Sequence, residues 1–147
     1  MKKSFGNLLR ITVLATILSL AGLAMSGAAM AWQCVDSNAG TVTDNISGLM
    51  WQKETAGPMS WEAAIGYAAG LNLGGKTGWR LPTKDELLGL YHSPCLTMMS
   101  ARKEGYWSSS AYASYEIYAW LVHFYDGYAG PGVKTFSYYV RAVRDGR

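Results

Sequence analysis

The chain has 147 residues, 50% of them hydrophobic and 16% charged, with a formal net charge of +3. Lys2, Lys3 and Arg10 precede the first acidic residue, Asp36, so the rest of the chain is formally neutral, with ten basic and ten acidic residues. That balance excludes a polyanion binder working by bulk charge, and nucleic acid is not an expected partner.

Behind the basic start, Ile11 to Met25 is an apolar run without charge, and Ala29-Met30-Ala31 is a small-x-small cleavage pattern. Together they read as a secretory signal peptide over residues 1–31, cut between Ala31 and Trp32. The mature chain, 32–147, is then expected in the periplasm, the cell envelope or the medium, with no membrane span after cleavage. An uncleaved anchor is the alternative, since no charge lies between Arg10 and Asp36 and that length can cross a bilayer. Ser26, Gly27 and the alanines that dilute the far half argue for cleavage. A lipid-anchored form fits less well, because the bulky Trp32 and Gln33 stand before Cys34 where a lipidation signal needs small residues. The mature length suits one domain with a single core.

Cys34 and Cys95 make an even pair in an oxidising compartment, so a disulfide is expected, closing a loop of about 60 residues. A metal site or a nucleophile is the other use of two cysteines. Without a CxxC pattern or a nearby histidine, both are poorer fits.

In chain order, Thr41 to Thr43 and Leu49 to Gln52 read as short strands around a turn at Asp44 to Gly48. Ser60 to Asn72 reads as a helix capped by Ser60, with Trp61, Ala64, Ile65, Ala68 and Leu71 on one face and Gly74-Gly75 ending it. A second helix is predicted from Thr83 to Tyr91, opened by the capping box Thr83-Lys84-Asp85-Glu86 after Pro82. Its apolar side is Leu87, Leu88 and Leu90. Beyond Gly105 the pattern turns to β-structure. Ala119 to Tyr125 alternates with period two and ends in a turn at Asp126-Gly127, Gly130-Pro131-Gly132 reads as a loop, and Ser137 to Arg144 reads as one strand. Strands, two helices and further antiparallel strands make an α+β domain.

Six motifs in order, GLMWQ at Gly48, Ser60-Trp61, WRLPT at Trp79 with Glu86-Leu87, YWSSS at Tyr106, Ala119-Trp120 and VRAVR at Val140, resemble the C-terminal domain family of the Legionella collagen-like adhesin, the Lcl C-terminal domain. The resemblance covers about Asp44 to Arg144. It implies a C-type-lectin-like fold, with two helices and a twisted antiparallel sheet, serving as a ligand-binding scaffold. The block from YWSSS to VRAVR is also similar to the variable regions of proteins diversified by retroelements, such as the phage major tropism determinant.

Within this frame Trp51, Trp61, Trp79, Trp107, Trp120, Arg141 and Arg144 read as framework. Arg80 joins them, with Asp44 or Glu86 as its expected carboxylate partner. Twelve of the 34 residues from Tyr106 to Tyr139 are aromatic, eight of them tyrosine. That density exceeds what a small core needs, and tyrosine is well suited to contact surfaces. If Trp120, Val122 and Phe124 point inward, then Leu121, His123 and Tyr125 point outward. With Tyr112, Tyr115, Tyr118 and Tyr128 they form the predicted ligand-binding face.

Enzyme readings lack parts. There is no HExxH, GxSxG or phosphate-binding glycine loop, only His92 and His123 supply imidazoles, and Ser108-Ser109-Ser110 has no visible base. Formylglycine-generating enzymes have a related fold but use a C-terminal cysteine pair, and here no cysteine follows Cys95. Glu104, Glu116, Asp126 and Asp145 are too scattered for a calcium-type sugar site, so neither cofactor nor metal is expected. The expectation is an exported, non-catalytic recognition or adhesion module for a protein or glycan ligand. A structural envelope protein that forms homo-oligomers through the same face is the alternative.

Overall fold

A computed structural model describes residues 32–147 of the chain. The expected leader, residues 1–31, lies outside the described residues.

Among these residues the elements run β1 (Cys34–Asp36), β2 (Thr41–Asp44), β3 (Leu49–Gln52), β4 (Ala56–Met59), α1 (Trp61–Gly70), α2 (Lys84–His92), a 3-10 turn (Pro94–Met98), β5 (Gly105–Ala111), β6 (Tyr118–His123), β7 (Ala129–Val133), β8 (Tyr138–Val140) and β9 (Val143–Asp145). They form two sheets, β1-β2-β3-β9 and β4-β8-β5-β6-β7, antiparallel except where β8 runs beside β5. The domain is α+β, as the order of elements predicts. No helix among the described residues is long and apolar enough to cross a membrane.

Both helices start where their caps are written. Ser60 accepts from the Ala63 N–H, and Thr83 and Glu86 form a reciprocal capping box. On α1 the buried side chains are Ala64 and Ala68, while Ile65, expected on the same face, is exposed. Small residues at that contact let the helix lie close to the sheet. On α2 the buried side chains are Leu87 and Leu90, with Leu88 partly covered.

Two apolar clusters occupy opposite faces of the larger sheet. Val122, Tyr106 and Phe124 join Leu87 and Leu90 of α2, together with Val42, Trp51 and Val143 of the smaller sheet. Trp107, Ala119 and Leu121 join Ala64 and Ala68 of α1, with Trp79, Leu81 and Val140. The sheet is therefore covered on both faces. A period-two pattern on β6 distinguishes one core from the other and not core from solvent.

Two expectations change for local reasons. Gly130-Pro131-Gly132 is not a loop but the middle of β7, an edge strand paired to β6 with Pro131 opposite Trp120. Proline fits there because an edge strand has one side with no ladder partner. The stretch from Ser137 to Arg144 is not one strand: β8 pairs with β4 and β5, β9 pairs with β3, and Arg141-Ala142 carries the chain from one sheet to the other. The smaller strands β1 and β4 carry no periodic signal, β4 because it contains Gly57-Pro58.

The crossing at Arg141 is pinned by its own side chain, which is fully buried. Its guanidinium donates to Gln52 O at 2.5 Å, Lys53 O at 2.6 Å, Ser100 O at 2.7 Å and Thr55 Oγ1 at 2.9 Å. Ala142 N–H donates to Gln52 Oε1 at 3.1 Å, which ties the same two segments again. Burial pulls the Arg141 guanidinium below its ordinary range, and the neighbouring Tyr106 opposes that pull. The four oxygen acceptors replace the water that the charge has lost.

Cys34 and Cys95 are bonded, as expected, at a Cα–Cα distance of 5.2 Å. The bridge ties β1 to the turn after α2. Both sulfurs belong to the cluster beneath that helix.

Candidate functional site

The tyrosine-rich segment runs from β5 through β8, and packing sorts its rings into three groups. Tyr106 is 0% exposed, stacked on Phe124 with centroids 4.6 Å apart. Tyr138 meets Trp107 edge-on at 5.0 Å, and Tyr139 lies beside Tyr106 at 6.0 Å. These three tyrosines complete the core.

The second group sits on the 112–117 connection between the strands. Tyr112 N–H donates to Tyr118 O, Tyr115 N–H to Tyr112 O and Tyr118 N–H to Tyr115 O, so the connection closes on itself. The rings follow: Tyr112 contacts Trp120 at 4.9 Å and Tyr118 at 6.2 Å, and Tyr115 contacts Tyr118 at 6.1 Å. Tyr115 is 64% exposed, and Ile117 beside it is also exposed. The Lys84 ammonium lies 4.9 Å from the Trp120 ring centroid, at the start of α2. Its backbone N–H donates to Ser110 Oγ, which fixes the helix start against the end of β5.

The third group belongs to the turn that follows β6. Tyr125 is 73% and Tyr128 61% exposed, and half-buried His123 stands 6.1 Å from Tyr128, ring to ring. The turn is shaped by Asp126, whose carboxylate accepts from Tyr128 N–H, and by Gly127 at φ +77°. A Cβ on Gly127 would come within 2.5 Å of the Tyr91 ring, so glycine serves both the backbone angle and a close approach.

The predicted face is therefore two patches at opposite ends of β6. Tyr112 and Tyr115 sit before the strand and Tyr118 at its first position, and Tyr125 and Tyr128 lie after it. Six strand residues separate the ends by roughly 17–20 Å. Leu121 belongs to neither patch. Expected outside, it is 2% exposed and packs over Gly132, where an added Cβ would sit 2.5 Å from its Cδ1. Its side of the sheet is covered by the α1 layer. Trp120, expected inside, is only half-buried, because it lies beyond the apolar length of α2 and is met there by Lys84.

The remaining framework residues are placed as follows. Trp51, Trp79 and Trp107 are buried, while Trp61 is half-buried, with its ring under the Lys134 ammonium at 4.3 Å. The Trp61, Trp79 and Trp107 indole N–H groups donate to Ser108 O, Lys76 O and Met59 O. Arg80 takes Glu86 as its carboxylate, with two parallel hydrogen bonds of 2.8 Å, and its backbone pairs with Val143. The pairing raises the Arg80 pKa and lowers that of Glu86, each chiefly through the side-chain hydrogen bond. Asp44 is instead held by Ser93 and Ile46. Half-buried Arg144 donates to Asp145 O.

The three serines after Trp107 are committed to backbone. Ser108 Oγ donates to Trp120 O, Ser109 Oγ donates to Pro82 O, and Ser110 Oγ accepts from Lys84 N–H. Among the described residues, no group of three His, Cys, Asp or Glu side chains is close enough to hold a metal ion.

The Lcl C-terminal domain family profile matches residues 40–144, from β2 into β9, with both aromatic patches inside the match. The chain belongs to that family. No curated protein matches it. The matched span includes Arg141, Arg80 and every buried tryptophan, so the family match and the physical framework cover the same residues. Sequence reading missed Trp120 and Lys84 as surface groups. The signal was present in Thr83-Lys84-Asp85-Glu86, because a capping box places Lys84 in the first turn of a helix whose apolar run starts only at Leu87.

Proposed function

We propose that this Lcl C-terminal domain is an exported, non-catalytic recognition module of the adhesin type. Its contact surface is the aromatic patch of Tyr112, Tyr115, Tyr118 and Trp120, and its ligand is a protein or a glycan. Membership of an adhesin-type family supports the class of function. The observation that carries the site is the chain of ring contacts on a self-closed connection, with Tyr115 64% exposed at its tip. Rigid aromatic rings lose little rotamer freedom on contact and bury a large area, which is how recognition loops gain affinity. The backbone hydrogen bonds among Tyr112, Tyr115 and Tyr118 hold the loop in place. For a glycan, the ring faces offer stacking surfaces; for a protein, Tyr115 and Ile117 offer an apolar centre of the kind that dominates interfaces.

Tyr125, Tyr128 and His123 form a second, smaller exposed group whose distance from the first suits a separate contact. A homo-oligomer formed through either patch is the competing reading, favoured by the exposure of Ile117 and Phe136 in addition to the tyrosines. Size measurement of residues 32–147 with and without glycan, on the wild type and on Tyr115→Ala, separates the two. A monomer that gains mass or mobility shift with glycan supports recognition. A dimer that Tyr115→Ala dissociates supports assembly.

A further inference from the structure

A concavity lies apart from both aromatic patches, between the turn after β2 and one side of α2, with a volume of about 450 Å³. That size is within the range of small-molecule sites. Leu49, Trp51, Leu90 and Pro94 supply apolar wall, and no lysine or arginine lines it.

Three carboxylates border the space, Asp44, Asp85 and Glu86, beside the neutral polar groups of Gln33, Ser47 and Ser93 and the imidazole of His92. Glu86 is already paired with Arg80, and Asp85 lies 3.5 Å from Lys84. Asp44 differs from both. It is 5% exposed and accepts from Ile46 N–H at 2.9 Å, Ser93 O–H at 2.8 Å and the Gln33 amide at 3.5 Å, all neutral donors. Among the described residues it has no ion pair. Buried carboxylates are ordinarily matched by a cation, because neutral hydrogen bonds replace only part of the lost hydration.

Gly89 supplies an independent observation. It sits in the interior of α2, where glycine is a poor helix former. A Cβ built there would meet nothing within 4 Å, so neither packing nor a special backbone angle calls for glycine. What the missing side chain leaves open is the cleft, which Gly89 borders.

The geometry points to a ligand site in this cleft for a small molecule bearing an ammonium or guanidinium group on a short apolar stem. The cation lies against Asp44, the stem runs along Leu49, Leu90 and Pro94, and Gly89 keeps the floor open. The site is independent of the aromatic patches and stands or falls without them.

Agmatine, with a guanidinium and an ammonium on a four-carbon stem, is the probe, titrated into residues 32–147 at low salt and followed by amide NMR. Saturable shifts at Gly89, Ser93 and Ile46 are expected, with a dissociation constant on the order of 1 mM or tighter. Butyrate should leave the same amides unmoved. Asp44→Asn, which keeps an acceptor oxygen, should weaken binding by about tenfold or more. Gly89→Leu should abolish it, and Gly89→Ala should raise Tm while weakening binding, a pairing of effects that a purely structural glycine does not produce. An arginine blocked at both ends separates the two sources of such a group. Shifts equal to those of agmatine assign a side chain presented by a polypeptide, and their absence beside agmatine binding assigns a free ligand. No saturable shift up to about 20 mM agmatine, equal shifts with butyrate, or unchanged affinity in folded Gly89→Leu overturns the proposal.

Discussion

Tyr106 and Tyr115 lie nine residues apart on the same hairpin, one within β5 and the other on the connection to β6. Tyr106 is sealed: its ring stacks on Phe124, its hydroxyl shares a hydrogen bond of 2.7 Å with Thr55 Oγ1, and it accepts from Arg102 N–H at 2.8 Å. It also stands beside the Arg141 clamp, 5.9 Å from the guanidinium. Tyr115 projects into solvent with a neighbouring ring on one side. The same side chain thus serves as a bolt in one place and as a contact surface in the other. The difference lies in what covers the backbone around it. β5 has a cluster on each face, whereas the connection has bonded backbone beneath it and nothing above.

The strongest way to break this contrast is to attack the bolt. Arg141→Ala should destabilise the domain by about 3–5 kcal/mol, because it empties buried volume and leaves the oxygens of Gln52, Lys53 and Ser100 without their donor. Trp107→Ala should cost a similar amount. Urea denaturation of residues 32–147 measures both, and a loss below about 1 kcal/mol for Arg141→Ala would show that the crossing between the sheets does not depend on it.

Next in size is the disulfide, which spans 61 residues of sequence. Replacing both cysteines by serine should cost about 4 kcal/mol on loop-entropy grounds, less whatever structure the unfolded chain retains. Reduction without denaturant gives the same comparison in the wild type.

Glu86 tests the connection between framework and helix start. The Arg80 hydrogen bond holds its carboxyl below the ordinary value of 4.5, so its stabilising contribution is full above that value and is lost as pH falls through the lower folded-state value. Glu86→Gln should therefore cost about 1 kcal/mol near neutral pH, through the lost ion pair with Arg80, since a glutamine oxygen can still accept from the Thr83 N–H in the capping box. The gap to wild type should close as the solution is acidified below 4.5. A gap constant with pH would place the effect in the capping geometry and not in the charge.

The smallest stability effects are expected at the exposed rings. Tyr115→Ala, Tyr125→Ala and Tyr128→Ala should each shift stability by less than about 0.5 kcal/mol. Tyr112→Ala should cost about 1 kcal/mol, since its ring rests on Trp120. Partner binding should reverse the order within the patch, with Tyr115→Ala losing about 2 kcal/mol of affinity and Tyr128→Ala little. Equal losses from Tyr115→Ala and Tyr128→Ala would mean that one partner spans both ends of β6.

Sequence alone determined the features that depend on neighbours in the chain. The caps at Ser60 and Thr83, the turn at Asp44 to Gly48 and the Asp126-Gly127 turn all involve residues within a few positions of one another, where spacing fixes geometry, whereas the choice between Asp44 and Glu86 as the partner of Arg80 fell to the folded chain. The two cysteines were legible by parity and expected compartment. Tertiary structure alone decided what depends on layers. Period-two alternation cannot report that both faces of β6 are covered, so Leu121 was assigned to solvent although α1 and Gly132 enclose it, and Trp120 to the core although α2 has no apolar cover that far out. A continuous apolar pattern cannot report that Val140 and Val143 belong to different sheets, a break held by a guanidinium that reaches oxygens some 40 to 90 residues away in sequence. The same limit kept the eight tyrosines from being sorted into bolts and contacts, because burial is set by which distant segment packs above a residue, and no local spacing encodes that.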